Sequence, residues 1–235
     1  MWGYYDYKPK PTKAEMLAKA EKYRKKNPSC NPIILEGTKL ANSWWAQSWN
    51  KNLESYADYD NRIGRGRSYV RSGAVFDLSI GAGTVHALVQ GTRAKPYSID
   101  IKIAPLKKEK WNAIINQASR KIAGLEELAS GKFPKELMEL FTNKGDGLFP
   151  SPKEITFDCS CPDWASMCKH VAAALYGVGA RFDDDPTLFF LLRDIDFTAL
   201  LKKSVDEKMN NMLKNSDSVT NRVMSDVDTF ELFGV

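Results

Sequence analysis

The stretch FDCSCPDWASMCKH, residues 157–170, gathers three of the chain's four cysteines and one of its two histidines. Cys159 and Cys161 are separated by one residue, six residues follow, and Cys168 and His170 are again separated by one. Three thiolates and an imidazole form the usual tetrahedral donor set of structural zinc. Residues spaced by one can turn toward a single ion only where the backbone is extended or tightly turned, and Pro162 suits such a turn. Cys168 and His170 fall where a helix over Val171 to Tyr176 would begin, and there unpaired amides and the helix dipole stabilise thiolate charge. A catalytic ion keeps one position open, whereas these four side chains fill the shell. No glutamate lies within the cluster to carry a proton. The expectation is one structural Zn2+ held by Cys159, Cys161, Cys168 and His170, with no catalytic residue. The alternative is a set of buried reduced cysteines beside an incidental histidine.

Disulfides explain the cysteines poorly. Pairing within the cluster leaves one over, and Cys30 is distant in sequence, so a reducing compartment is expected. The N-terminus carries no apolar signal core, and no apolar run reaches the roughly 18–20 residues of a membrane span. A cytoplasmic protein without membrane contact is the expectation. The net charge of +5 conceals an asymmetry. Beyond Ala180 there are 7 basic and 11 acidic residues, so that end is near −4 and the rest near +9. A basic body permits contact with nucleic acid or with an acidic protein.

Residue periodicity supplies the fold class. Thr12 and Glu15 form a capping-box pattern that opens a helix to about Lys26. Trp45, Trp49 and Leu53 mark one helical face, with Trp44 at its rim. Three segments alternate as strands: Phe76, Leu78 and Ile80; Val85, Ala87 and Val89; Tyr97, Ile99, Ile101 and Ile103. GAG at 81–83 joins the first two as a hairpin. A three-stranded antiparallel meander with one apolar face needs a helical layer over it. Trp111, Ile114, Ile115, Ala118, Ile122 and Leu125 predict a helix over roughly 107–130. A short helix is expected from Pro134, another over Leu188 to Leu192, and a last one from about Phe197 to Leu213. NKGDGLFPSP at 143–152 reads as a boundary. The fold expected is α+β: a three-stranded antiparallel sheet packed on helices, a small structural zinc finger, and a helical C-terminal tail.

Between residues 59 and 73 lie Arg62, Arg65, Arg67 and Arg71, with glycines and no acid among the four arginines. The stretch reads as a loop, or as a turn feeding a short ordered element. Guanidinium forks suit phosphate, and Tyr69 adds a stacking surface. Arg93 and Lys95 repeat the theme in a strand-to-strand loop near Tyr97. These cations meet a phosphate backbone, pair with another protein or the acidic tail, or simply face solvent. Trp44 is a candidate for aromatic docking or base stacking, although helical spacing favours a core role for the tryptophans. His86 falls on the polar face of a strand. Asp183, Asp184 and Asp185 point different ways and form no metal cluster, and Asp185 suits a helix cap.

The cysteine pattern resembles the SWIM zinc finger of prokaryotic SWIM zinc finger family proteins, written Cys-x-Cys, a variable gap, Cys-x-His. SWWAQSWN, NRIGRGRSYVRSG, VQGTRAKPYSIDIKIAPL and the Phe-x-Cys-x-Cys-Pro-Asp-Trp lead-in look like that family's upstream blocks, from about Ser43 to Gly177. The resemblance implies binding of DNA or protein without catalytic activity. It also implies a Swi/Snf-type helicase-like ATPase as partner. The chain has no G-x-x-x-x-G-K-[ST], so any motor is expected to be another protein. The organisation expected is an N-terminal arm and helix (1–42), an α+β body with basic loops (43–142), a SWIM-type finger (153–180) and an acidic helical region (181–235). The function expected is a non-enzymatic zinc protein that contacts nucleic acid, DNA first and RNA second, as accessory subunit of a DNA-transaction complex. The alternative is a protein-interaction adaptor for the ATPase.

Overall fold

The computed structural model describes residues 11–55, 60–121, 135–143, 145, 147–165 and 167–216. Helix α1 (Lys13–Lys26) starts with the expected reciprocal cap: Thr12 Oγ1 accepts the Glu15 amide, and Glu15 accepts the Thr12 amide at 2.8 Å. Helix α2 (Trp44–Glu54) is capped by Ser43. The arginine–glycine stretch, read as a loop or as a turn feeding a short ordered element, is helix α3 (Asp60–Arg71). Its glycines lower helix propensity, and packing overrides that preference. Were a Cβ present on Gly66, it would lie 2.5 Å from Ala172 Cβ and 3.0 Å from the Ala172 carbonyl carbon, so this glycine lets two helices cross closely. Gly64 has open space around it.

Strands β1 (Val75–Gly81), β2 (Thr84–Val89), β3 (Tyr97–Ile103) and β4 (Ile155–Cys159) form one antiparallel sheet in chain order. The hairpin between β1 and β2 has Gly83 at φ +64°, a conformation that favours glycine. The alternation read from sequence holds in β2 and β3, where Val85, Ala87, Val89, Tyr97, Ile99, Ile101 and Ile103 are buried while His86, Ser98 and Lys102 are exposed; in β1 Leu78 is buried and Ser79 exposed, but a register irregularity between Val75 and Asp77 leaves Val75 buried as well and Ile80 only half-buried. The sheet has four strands rather than three. The fourth is the lead-in to the cysteines, whose Ile155, Thr156, Phe157, Asp158 run is too short to show its period. Main-chain bonds from Ile33 to Val75 and from Leu78 to Asn31 cover the outer edge of β1.

The remaining elements among the described residues are α4 (Lys108–Lys121), a 3₁₀ turn (Lys135–Leu137) running into α5 (Met138–Thr142), a 3₁₀ turn (Pro152–Glu154), α6 (Lys169–Asp184), α7 (Leu188–Leu192) and α8 (Phe197–Ser216). Pro134, Ile122 and Leu125, the N-terminal arm, and everything past Ser216 lie outside the described residues.

Helix α6 is the centre of the molecule. Every residue from His170 to Gly179 is buried, and the helix packs on α2, α3 and β1. The indole N–H groups of Trp49 and Trp45 reach across to the carbonyls of Leu175 and Phe182 at 2.9 and 2.8 Å. Within the expected finger (153–180), Ile155 and the buried residues of α6 belong to the same apolar cluster as the sheet. One apolar cluster runs from Met16 through the sheet and α6 to Leu200. Within the boundary read at 143–152, two apolar residues are packed. Leu148 is fully buried, and Phe149 packs on Trp49 and Phe189.

Candidate metal centre

Strand β4 delivers Cys159, the turn after it Cys161, and the start of α6 delivers Cys168 and His170. The four ligand atoms lie within 4.8 Å of one another, a group that could hold a metal ion. His170 Nδ1 is 3.9 Å from both Cys159 Sγ and Cys168 Sγ. An ion about 2.3 Å from each sulfur needs donors separated by roughly 3.8 Å, so these spacings suit tetrahedral coordination with little movement. Cys168 and His170 are buried, and Cys159 and Cys161 half-buried. Cys168 is also the N-cap of α6, its sulfur accepting the Val171 amide at 3.5 Å.

The thiols are electrostatically inequivalent. Hydrogen bonding from Cys159 pulls Cys168 well below the ordinary thiol range, against the cost of burial, with His170 and the Val171 amide adding to the effect. The same contact with Cys168, together with burial, pushes Cys159 up. Crowded thiols resist multiple ionisation, and a divalent cation among them reverses that resistance.

His170 fits a role as Nδ1 ligand. Its ring stacks on Tyr97, centroids 4.4 Å apart, and meets the edge of Tyr69 at 5.4 Å. Its Nε2 is buried without a hydrogen-bond partner. Gly91 makes room for this arrangement, because a Cβ there would run into Tyr97 and come within 3.1 Å of Nε2. Burial raises the pKa of Tyr69, opposed by nearby Arg65.

The basic residues singled out from sequence divide into two groups. Arg62 pairs with Asp163 at 2.6 Å with both side chains largely buried. Arg67 binds Glu54 at 2.6 Å and the Tyr176 hydroxyl at 2.9 Å, and these partners raise its pKa. Both arginines are engaged by partners within the fold, Arg62 largely buried and Arg67 about a third exposed. Arg65, Arg71, Arg93 and Lys95 are exposed. The Arg71 Nε donates to the Thr38 carbonyl. Arg93 sits over the Tyr97 ring, 5.3 Å from its centroid, and buried Gln90 braces this loop by donating to the carbonyls of Gly91 and Arg93. Trp44 packs against Trp45 and Phe141 rather than standing out. His86 is on the open sheet face, bonded to Asp100. Asp183 accepts the Asn42 and Ser43 amides, fastening α2 to the end of α6.

One residue escaped the sequence reading. Trp164, in the ligand loop, is 82% exposed. Its signal was its place in the sequence, between Asp163 and Ala165 and three residues after Cys161.

The site and fold define an α+β protein with a Cys3His cluster of metal-binding geometry. No family model matches the chain, and no solved structure matches it. It is 40% identical over 148 residues to "Uncharacterized protein Rv2102" of Mycobacterium tuberculosis (strain ATCC 25618 / H37Rv), a match covering 63% of this chain and 53% of that protein. The match thus spans about half the relative's length. No described helix is long and apolar enough to cross a membrane.

Proposed function

We propose that the protein is a non-catalytic zinc module whose metal site carries a cationic, aromatic face for nucleic acid, DNA in the first instance. The observation that carries this reading is the surround of His170. Its two packed rings, Tyr69 and Tyr97, are accompanied by the exposed arginines Arg65 and Arg93. Three soft sulfurs and an imidazole favour zinc among available divalent ions. Bound there, zinc would clip the end of β4 to the start of α6, its charge offset by the three thiolates. The chain's own residues do the rest: Cys168 caps α6, Tyr69 and Tyr97 orient the imidazole, and Gln90 sets the Arg93 loop. The resemblance of the ligand pattern to the SWIM zinc finger supports the same reading, with a Swi/Snf-type ATPase as the larger assembly's motor and the cytoplasm as its location.

The test is metal content followed by titration of labelled DNA at two salt concentrations. One zinc per chain is expected. Phosphate contacts make the logarithm of affinity fall with the logarithm of salt by about 0.9 per neutralised phosphate on a duplex and 0.7 on a single strand. Replacing Arg65, Arg93 and Lys95 by alanine should flatten that slope. Salt-independent binding, or no binding, sinks the nucleic-acid reading.

The adaptor alternative has one observation in its favour. Val205, Met209 and Met212 leave an apolar stripe exposed on α8, the composition of a protein interface. A co-purifying ATPase with no DNA binding by the isolated chain would favour it.

A further inference from the structure

We infer that the protein forms a two-fold homodimer through the free edge of β4, the two strands pairing antiparallel about Phe157. The inference goes beyond the proposed function and does not depend on it. The two rims of the sheet are treated differently. Along β1, main-chain bonds from Ile33 to Val75 and from Leu78 to Asn31 close the rim. Arg181 holds that covering segment by the carbonyls of Asn31 and Pro32. Along β4, among the described residues, the one outward main-chain bond is local, from the Ile155 amide to the Pro152 carbonyl. An open edge offers a row of donors and acceptors, which proteins guard with lysine, proline or a bulge. Strand β4 contains neither lysine nor proline, and its register against β3 is unbroken.

Register decides which groups face outward. The Ser160 amide donates to the Ser98 carbonyl, and the Ala104 amide to the Glu154 carbonyl. Asp158 lies opposite Asp100 and Thr156 opposite Lys102, so the even-numbered residues of β4 bond to β3. The main-chain groups of Ile155, Phe157 and Cys159 therefore point away from the sheet. A second copy turned about a two-fold axis at Phe157 matches them. The Phe157 amide and carbonyl exchange bonds with their own symmetry mates. Each Cys159 amide meets the Ile155 carbonyl of the other copy, while the Ile155 amide stays with Pro152.

Charge selects this axis over its neighbours. Centred on Phe157, exposed Asp158 faces exposed Thr156 of the second copy. Moving the axis one residue either way sets acid against acid, Asp158 on Asp158 or Asp158 on Glu154. Like charges directly opposite one another destabilise a strand pair. On the other face of the sheet, Phe157 meets Phe157. Its Cα partner in β3, Ile101, is 1% exposed, whereas Phe157 is only half-buried, so the helical layer covers β3 more completely than β4. A second ring fills the gap, and cross-strand aromatic pairs stabilise sheets. Because Cys159 ends the strand, the pairing sets the two metal clusters on either side of one seam.

The experiment weighs the full zinc-loaded chain by analytical ultracentrifugation over a concentration series. A reversible species of twice the 26.5 kDa chain mass is expected. Thr156→Asp sets an acid against Asp158 at both ends of the pair, yet within its own chain it lies opposite Lys102. The variant should fold, and its dimer should be weaker by about tenfold. Asp158→Lys alone faces a threonine and should still dimerise. Added to Thr156→Asp, it should restore the wild-type dissociation constant, a rescue that requires this register. Hydrogen exchange at the Phe157 amide should slow as the dimer fills. Unchanged zinc content and circular dichroism verify that the variants are folded. A chain that stays monomeric at every concentration overturns the inference, including one whose free edge takes an extended peptide of another protein instead. A dimer indifferent to Thr156→Asp, or one that leaves the Phe157 amide unprotected, uses another surface and overturns it too.

Discussion

Arg62 Nη1 and Asp163 Oδ2 meet at 2.6 Å across 101 residues of chain, joining helix α3 to the loop between the second and third metal ligands. The pair is mostly shielded from water, so it is worth more than a surface ion pair and costs more to break. Arg62→Ala should lower stability by about 1–3 kcal/mol. Arg65→Ala, three residues on and exposed, should leave the melting temperature within error. Equal melting temperatures for the two variants would contradict the division of the arginines into structural and available ones.

The two glycines of α3 should respond in opposite directions. Gly64→Ala meets open space and gains helix propensity, so it should stabilise by roughly 0.5–1 kcal/mol. Gly66→Ala drives a methyl into Ala172, with backbone atoms of α6 close behind, and should destabilise by about 1–3 kcal/mol. Denaturant midpoints at constant slope measure both.

Arg193 is 1% exposed and shares its charge with Glu154 at 2.8 Å, while its Nε and Nη1 have no hydrogen-bond partner. Glu154→Ala should therefore cost about 3–5 kcal/mol by stranding a buried cation, and Arg193→Met in the same chain should recover most of it. Chemical denaturation of the single and double variants tests the coupling.

The same pair sets an acid response. Partial burial tends to raise the Glu154 pKa, but bonds from Arg193 and from the Ser151 amide and hydroxyl outweigh it, so the net shift is downward. A depressed carboxyl stabilises the fold above its unfolded-state value of about 4.3, and that contribution fades as pH falls through the lower folded value. Stability measured from pH 6 down to pH 2 should decline less steeply in Glu154→Gln than in wild type, since glutamine cannot titrate. Parallel curves would count against the carboxyl's role.

Metal removal should loosen the whole domain rather than a finger. His170 and Cys168 begin the central helix, and Trp49 is bonded to its midpoint. Chelation should move one cooperative transition, followed by tryptophan fluorescence, to lower temperature. Two transitions, with only the lower one metal-dependent, would show an independently folding finger.

Much of this was legible in sequence for identifiable reasons. Period-2 alternation at Tyr97, Ile99, Ile101 and Ile103 reported a half-buried strand because one sheet face meets helices and the other does not. The Cys-x-Cys and Cys-x-His spacings reported the ligand set because coordination depends on local reach. Strand β4 was missed because five residues give too little pattern beside the cysteines. Helix α3 was missed because Gly64, Gly66 and four arginines read as loop chemistry, whereas Gly66 answers to Ala172, more than 100 residues away in the chain. The commitments of Arg62 and Arg67 were likewise invisible, since Asp163 and Glu54 are brought to them only by tertiary packing.

The order of the sheet follows the order of the chain, yet β3 and β4 are separated by the whole excursion from Ala104 to Glu154. The first three strands close through short local links and can assemble early, whereas β3 keeps one rim unzipped until the last strand arrives. All four ligands come with or after that strand. An ion held by these four side chains would be a latecomer by construction, fastening the sheet to α6 only once the last strand has joined it. A cell short of metal would then hold a chain whose sheet and central helix are loosened together.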